Sequence, residues 1–410
     1  MADDDNESES SGGTYTETSE QSWGSRLGES IKSVGVGAVI VIGSFVLLFK
    51  NEGCAVAQAQ ALSEGASQVI SVMVDKVDSA NEGKLVHVSG EAVTPDILSD
   101  NLGFSANAFK ISRKVEMYQW NENKKEKKTK KAGGKEITET TYEYKKDWGS
   151  SLSNSDNFNK NGKKDYEKKN GVSISNPGMP YTSGEPSYAK QATLGAFSLS
   201  DSIIKSVGSE TKVGLTDTDL AKMSPEIKGK AKVTDGTLYV GKDSASPQVG
   251  DTKISYSKIE PKQTISIVSR QTRNSFTPFP TKTNPVELVS AGIKDANEMF
   301  KAAEAANAMM TWILRLVGFI AMAVGISMIF KPLVTLADVL PLLGDLLGLG
   351  INFFSAIIAF VLSFITIAIA WFFYRPILSI VLILIAVGAV VGFKYYKKMQ
   401  AEKNPAPAKA

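Results

Sequence analysis

Acid–base or metal chemistry in this 410-residue chain would have to be built with a single histidine, His87, and a single cysteine, Cys54. One thiol rules out an intramolecular disulfide framework. One imidazole and one thiol also leave no Cys/His metal cluster and no dyad with spare partners, which argues against a zinc protein or a thiol hydrolase. The sequence carries no GxxxxGK[ST], no GxGxxG opening a helix, no HExxH and no GxSxG. His87 stands in KLVHVSG (Lys84 to Gly90), where strand alternation groups it with Leu85 and Ser89 as a half-exposed residue with no acid–base partner in sight. No catalytic residue, cofactor or metal ligand is assigned, and the chain reads as non-enzymatic.

The charges in unusual company are Arg315, Asp338, Asp345 and Arg375, each within or beside an apolar run. As a functional set they are candidates for charge pairs near an ion pathway; as ordinary residues they reach the headgroup layer from helix ends. The apolar runs define the elements that position them. Residues 31–50 form a first transmembrane helix, an uncleaved anchor because residues 1–30 are acidic where a signal peptide needs a short basic region. Residues 309–331, 351–374 and 376–393 are three further spans. Only Arg375-Pro376 separates the last two, and Pro376 suits the first turn of the fourth. Residues 332–350 are apolar but hold Asp338, Pro341 and Asp345, and are read as an interfacial or re-entrant segment with the two acids, seven apart, on one helical face. Lys394, Lys397 and Lys398 keep the tail 394–410 in the cytoplasm. Four spans then place the N-terminus, a disordered acidic arm over 1–30, in the cytoplasm and residues 51–308 outside it.

The segment 51–308 is nearly balanced in charge, which is no nucleic-acid footprint, and nucleic acid is not expected as a partner. Ala55 to Gly65 reads as a short helix ended by Gly65. Six stretches then read as strands: 84–90, 113–122, 138–148, 236–241, 252–259 and 264–271. The second and third flank a lysine-rich stretch, Lys124 to Lys135, and form a long hairpin with a charged tip. Its lysines are either a site for anionic lipid or nucleic acid, or a solvated tip that discourages edge pairing. Tyr118, Trp120, Tyr142, Tyr144 and Trp148 form an aromatic cluster, for core packing or as a sugar or lipid platform. Residues 149–188 read as loop, and 286–307 as a helix leading into the second span. The fold class is thus an α+β integral membrane protein with four transmembrane helices (1 + 3) and a large β-rich extracytoplasmic domain between the first and second.

Several stretches, in order and spacing, carry a resemblance: NEG at Asn51 to Gly53, NEGKLVHVSG from Asn81, Glu82 and Gly83 to Gly90, and VEMYQW from Val115 through Glu116, Tyr118 and Trp120. They continue with YEYKKDW ending at Trp148, GDTKISYS at Gly250 to Ser257, TWILRLVG at Thr311 to Gly318, and WFFYRP from Trp371 through Tyr374 to Pro376. Along nearly its whole length the sequence resembles the transmembrane protein 43 family, also called LUMA. That resemblance implies a non-enzymatic multi-pass scaffold that self-associates through its membrane helices and organises other membrane proteins. Its partners would be copies of itself, the lipid bilayer and other membrane proteins. Small residues fit such packing: Gly318, Ala321, Gly325, Ala356, Ala359 and Ala370. The alternatives are an ion-responsive or channel protein using the Arg and Asp residues, and a lipid-binding protein. No Asn in 51–308 stands in an N-x-[ST] acceptor and Lys far outnumbers Arg, which points to a bacterial inner membrane with a periplasmic domain rather than the endoplasmic reticulum or inner nuclear membrane.

Overall fold

A computed structural model describes residues 8–9, 14–377, 379–381, 384–385, 388, 391–392 and 394. The span expected over 376–393 includes residues outside these. Among the described residues three helices are long and apolar enough to cross a membrane: Trp23–Gln68 (α1), Ala296–Ala337 (α3) and Pro341–Tyr374 (α4). The chain divides into two compact units, one of residues 1–22, 61–131 and 135–303, the other of residues 23–60, 132–134 and 304–410.

The first unit is β-rich. Its strands are Thr14–Gln21 (β1), Leu85–Val93 (β2), Lys110–Lys130 (β3), Glu136–Gly149 (β4), Thr237–Val240 (β5), Thr252–Ile259 (β6) and Lys262–Thr272 (β7), with shorter partners. All six stretches read as strands from their alternation lie on β2 to β7. In one sheet the order is β1-β4-β3-β6-β5, antiparallel throughout; in the other β2 pairs with β7 from Leu85↔Arg270 to Val93↔Lys262. Alternate residues of β6 and β3 (Ile254, Tyr256, Val115, Ile111) bury one core with Leu238 and Phe104. Val86, Val88, Ile265 and Ile267 bury another with Phe197 and Phe276. Trp120, Tyr142 and Tyr144 bury a third with Phe158 and Ile174, so most of the aromatic cluster is core.

His87 is buried, not half-exposed. Its Nε2 lies 2.8 Å from the carbonyl oxygen of Lys294 and its Nδ1 3.0 Å from Ser71 Oγ. The lysines of the hairpin are matched by acids: Lys124 with Glu126 at 2.6 Å, Lys128 with Glu136 at 3.3 Å and Lys127 with Glu139 at 3.8 Å. That ladder offsets part of the positive charge of the stretch.

Four local expectations are corrected. Residues Lys160–Asn170 (α2), expected as loop, form a helix capped by Asn159 and ended by Gly171 at φ 63°; it is polar all round, so no apolar period announces it. Residues Leu288–Ala291 are a strand on β7 rather than helix. Gly292 at φ 78° then turns the chain, and Asp295 and Glu298 cap α3 reciprocally. The stretch from Ala55 belongs to α1 itself, which runs past Gly65; glycine stands there because a Cβ would crowd the Phe300 ring at 3.1 Å, not to end the helix. Finally, the arm over 1–30 is not wholly disordered. Thr14–Gln21 pairs along its full length with β4, from Thr14↔Glu143 to Gln21↔Glu136, Tyr142 donates to Glu17 at 2.9 Å, and α1 begins at Trp23.

The β1–β4 pairing requires Thr14–Gln21 and Glu136–Glu143 to share one compartment, which a simple count of alternating spans separates. Thr16 and Thr141 are direct cross-strand partners with hydroxyl oxygens 3.0 Å apart. Thr16→Cys with Thr141→Cys, in a Cys54→Ser background, is expected to give a disulfide on mild oxidation of membranes, seen by mass spectrometry of digests. Free thiols at both positions would refute the pairing.

Candidate functional site

The second unit is held by three layers of contacts along α1. At the end of its apolar run, Lys50 is followed by Asn51, Glu52 and Gly53. Glu52 is 1 % exposed. Its carboxylate accepts from Arg315 of α3 at both oxygens, Nε to Oε1 at 2.6 Å and Nη2 to Oε2 at 2.8 Å. The indole Nε1 of Trp371 on α4 donates to Oε2 at 2.8 Å. The Arg315 guanidinium lies 4.7 Å from the Trp312 ring centre and 5.9 Å from that of Trp371. A bidentate, fully hydrogen-bonded pair against aromatic faces is the geometry in which a buried ion pair repays its desolvation. The neighbours of Glu52 complete the clasp. Asn51 donates to the carbonyl of Thr311 at 3.2 Å, Asn307 donates to the carbonyl of Ala55 at 3.0 Å, and Gly53 leaves room for Tyr374, whose ring Cζ a Cβ there would meet at 2.6 Å.

Deeper in the apolar run, Gly37, Val41 and Leu48 face α3. A Cβ on Gly318 would lie 2.6 Å from Leu48, and one on Gly325 2.9 Å from the carbonyl oxygen of Gly37. Gly318 and Gly325 are seven apart, two helical turns, and so form one groove into which α1 sinks. Pro332, inside α3, leaves the carbonyl of Met328 without its helical donor; the Ser33 hydroxyl of α1 lies 3.1 Å from it. Met322 and Ile326 pack with Ala359 of α4, which is fully buried.

At the other end, Arg26 pairs with the buried carboxylate of Asp338 and donates to the carbonyl of Gly134 at 2.6 Å. Trp23 Nε1 donates to the carbonyl of Thr335 at 2.8 Å, and Gly133 N to that of Val339 at 3.0 Å. Gly134, at φ 75°, abuts the Trp23 indole, so no side chain fits there. From Arg26 to Glu52 is 26 residues of one helix, about 39 Å. The polar clusters are therefore far enough apart along the helix to bracket a hydrocarbon layer of about 30 Å.

Of the charges singled out from sequence, Arg315 and Asp338 are thus each closed by a partner within the chain, at opposite ends of the unit. Asp338 lies in the break between α3 and α4 and Asp345 on α4, so the two acids do not share a helical face. Residues 332–350 are divided between two helices: α3 runs to Ala337 and α4 starts with Pro341 in its first turn. Arg375 is exposed at the end of α4 and Pro376 follows it. Gly318, Gly325 and Ala359 pack helices of the same chain, while Ala321 and Ala356 are half-buried. In the β-rich unit, Asn81, Glu82 and Gly83 form the turn before β2, where Glu82 accepts from the backbone of Arg273 at 2.8 Å. Glu116 meets Lys114, and Tyr118 leans on Trp148, over which Lys253 sits at 4.1 Å. Trp120 is core.

Glu52, Arg26, Trp23 and Gly37 were not singled out as site residues. The signal was present for Glu52: an acid one turn past a span and an arginine one turn into the next lie at the same interface when two antiparallel helices pack.

A family model for Transmembrane protein 43 matches residues 117–376. The human Transmembrane protein 43 is 31% identical over 369 residues, 87% of this chain and 88% of the human one. The mouse protein is 31% identical over 364 residues, 86% and 87% of the two chains. The Transmembrane protein 43 homolog of Drosophila melanogaster is 27% identical over 373 residues, 87% and 93%. No solved structure matches the chain.

Removing one partner of the clasp strands the other charge in a dry site. Glu52→Gln or Arg315→Leu alone is expected to cost about 3–5 kcal/mol, and Glu52→Leu with Arg315→Leu far less than the sum. Thermal unfolding of the full chain in detergent measures the cycle, and additive losses would show that the pair is not coupled. Gly325→Leu is expected to lower the unfolding midpoint by separating α1 from α3; an unchanged midpoint would contradict the crossing.

Proposed function

Since the chain belongs to the transmembrane protein 43 family, we propose that it is a non-enzymatic membrane scaffold that self-associates and organises other membrane proteins. The observation that carries this reading is the division of its membrane surface. Every polar contact described above points inward, whereas one face of α4 carries large apolar side chains outward: Phe353 is 71 % exposed, Phe360 55 % and Phe364 59 %. Self-association through this aromatic face of α4 leaves the glycine groove to its intrachain role. His87 supports the non-enzymatic reading, since both ring nitrogens have hydrogen-bond partners, a serine hydroxyl and a backbone carbonyl. The setting we propose is a bacterial inner membrane, with Lys394, Lys397 and Lys398 retained in the cytoplasm.

Light scattering of the full chain in mild detergent is expected to give a discrete oligomer whose mass falls for Phe360→Ala with Phe364→Ala. A wild-type monomer would remove the physical basis of the scaffold.

A further inference from the structure

Among the described residues of the membrane unit, Lys32, Lys50, Lys331 and Arg375 are exposed cations outside the ion pairs, and Lys331 is the one of these that lines a groove. Lys331, on α3, has no carboxylate within ion-pairing distance among the described residues, although Arg315 pairs with Glu52 and Arg26 with Asp338. Asp345 of α4 is engaged in an interaction of its own. Lys331 lines an open groove of about 540 Å³ between α3 and α4. The walls are apolar, with Val324, Met328 and Ile351 among them, and the polar groups in it are Lys331, Ser327 and Asn352.

Depth decides what such a groove can hold. The contact of Ser33 with Met328 sets Met328 level with the start of the apolar run of α1, and Lys331 lies one turn further toward the Arg26–Asp338 cluster. Along α3, Lys331 is 16 residues from Arg315, about 24 Å; along α4, Asn352 is 19 residues from Trp371, about 28 Å. Both therefore lie toward the ends of the helices away from the Glu52 clasp, within the headgroup reach of a layer about 30 Å thick. Val324 lies two turns inward of Lys331, at acyl-chain depth.

We propose that this groove is a binding site for a glycerophospholipid with a net negative headgroup. Its phosphate meets the Lys331 ammonium, its glycerol and phosphate oxygens accept from Ser327 and Asn352, and one acyl chain lies along Val324 and Met328. The charge argument selects the headgroup. At an interface, a lone ammonium beside apolar walls attracts a net anion, whereas the ammonium of a zwitterion offsets that attraction. The inference rests on the membrane placement of the helices and is independent of self-association.

The test is native mass spectrometry of the full chain purified in mild detergent and equilibrated with equal amounts of phosphatidylglycerol and phosphatidylcholine. Wild type is expected to retain phosphatidylglycerol in about fivefold excess, the factor one interfacial lysine supplies. Lys331→Gln is expected to abolish the excess and Lys331→Arg to keep it. Val324→Trp, which fills the groove without touching the charge, is expected to lower retention of both lipids. Equal retention of the two lipids by wild type, or an undiminished excess in Lys331→Gln, would overturn the site. Lys331 is exposed, so its variants are not expected to perturb folding, and matching unfolding midpoints check this.

Discussion

The membrane unit depends on one carboxylate. Glu52 is the point at which three segments distant in sequence, the end of α1, the start of the apolar part of α3 and the end of α4, are tied by charge-assisted hydrogen bonds. Burying an unpaired carboxylate costs far more than the packing energy of a few side chains, so every arrangement that separates these segments is disfavoured while Glu52 stays in place. The pair fixes not only which helices meet but at what height. Both carboxylate oxygens are engaged by Arg315, so a shift of α3 by one residue along α1 breaks both bonds.

Fixing the height at one end has a consequence along the rest of the crossing. With Glu52 opposite Arg315, Leu48 falls opposite Gly318 and Gly37 opposite Gly325, where only glycine permits the backbones to approach. The same register brings Ser33 to the carbonyl that Pro332 strips of its donor, and Arg26 and Trp23 to the break between α3 and α4. Polar ends and a glycine-lined middle are therefore one solution to one geometric condition. Hydrocarbon offers no hydrophobic drive for helix association, so specificity has to come from such close contacts and from groups that cannot be left unpaired.

The helices and strands were legible because each carries a period or a length: apolar runs of span length, and alternation in the six stretches that became β2 to β7. What escaped was whatever has neither. α2 is polar on every face, and β1 is an acidic stretch that becomes a strand only because β4 presents Tyr142 and Thr141 to it. The site was half legible. Arg315 and Asp338 stand out as charges in apolar surroundings, but their partners do not. Glu52 lies just outside a span among ordinary polar residues, and Arg26 in a mostly polar segment before the apolar run begins. Pairing joins residues more than 260 positions apart, and no local pattern encodes such a partner. The small residues were visible as a packing face, yet composition does not say whether the helix packed there belongs to the same chain.

Charge closure also bears on the choice between a scaffold and a conduit. A pathway for ions needs charges or dipoles facing water along the span. Here the charged groups at both ends face each other, the middle of the crossing is glycine against aliphatic side chains, and what faces outward is phenylalanine, leucine, isoleucine and valine. A surface of that kind interacts with lipid and with other apolar helices. The exception lies at one interface, where Lys331 stands beside Ser327 and Asn352 at the mouth of an apolar groove. Lys32, Lys50 and Arg375, also exposed cations of the unit, do not line this groove, and an ammonium beside apolar walls gives the surrounding bilayer a chemically distinct place to engage it.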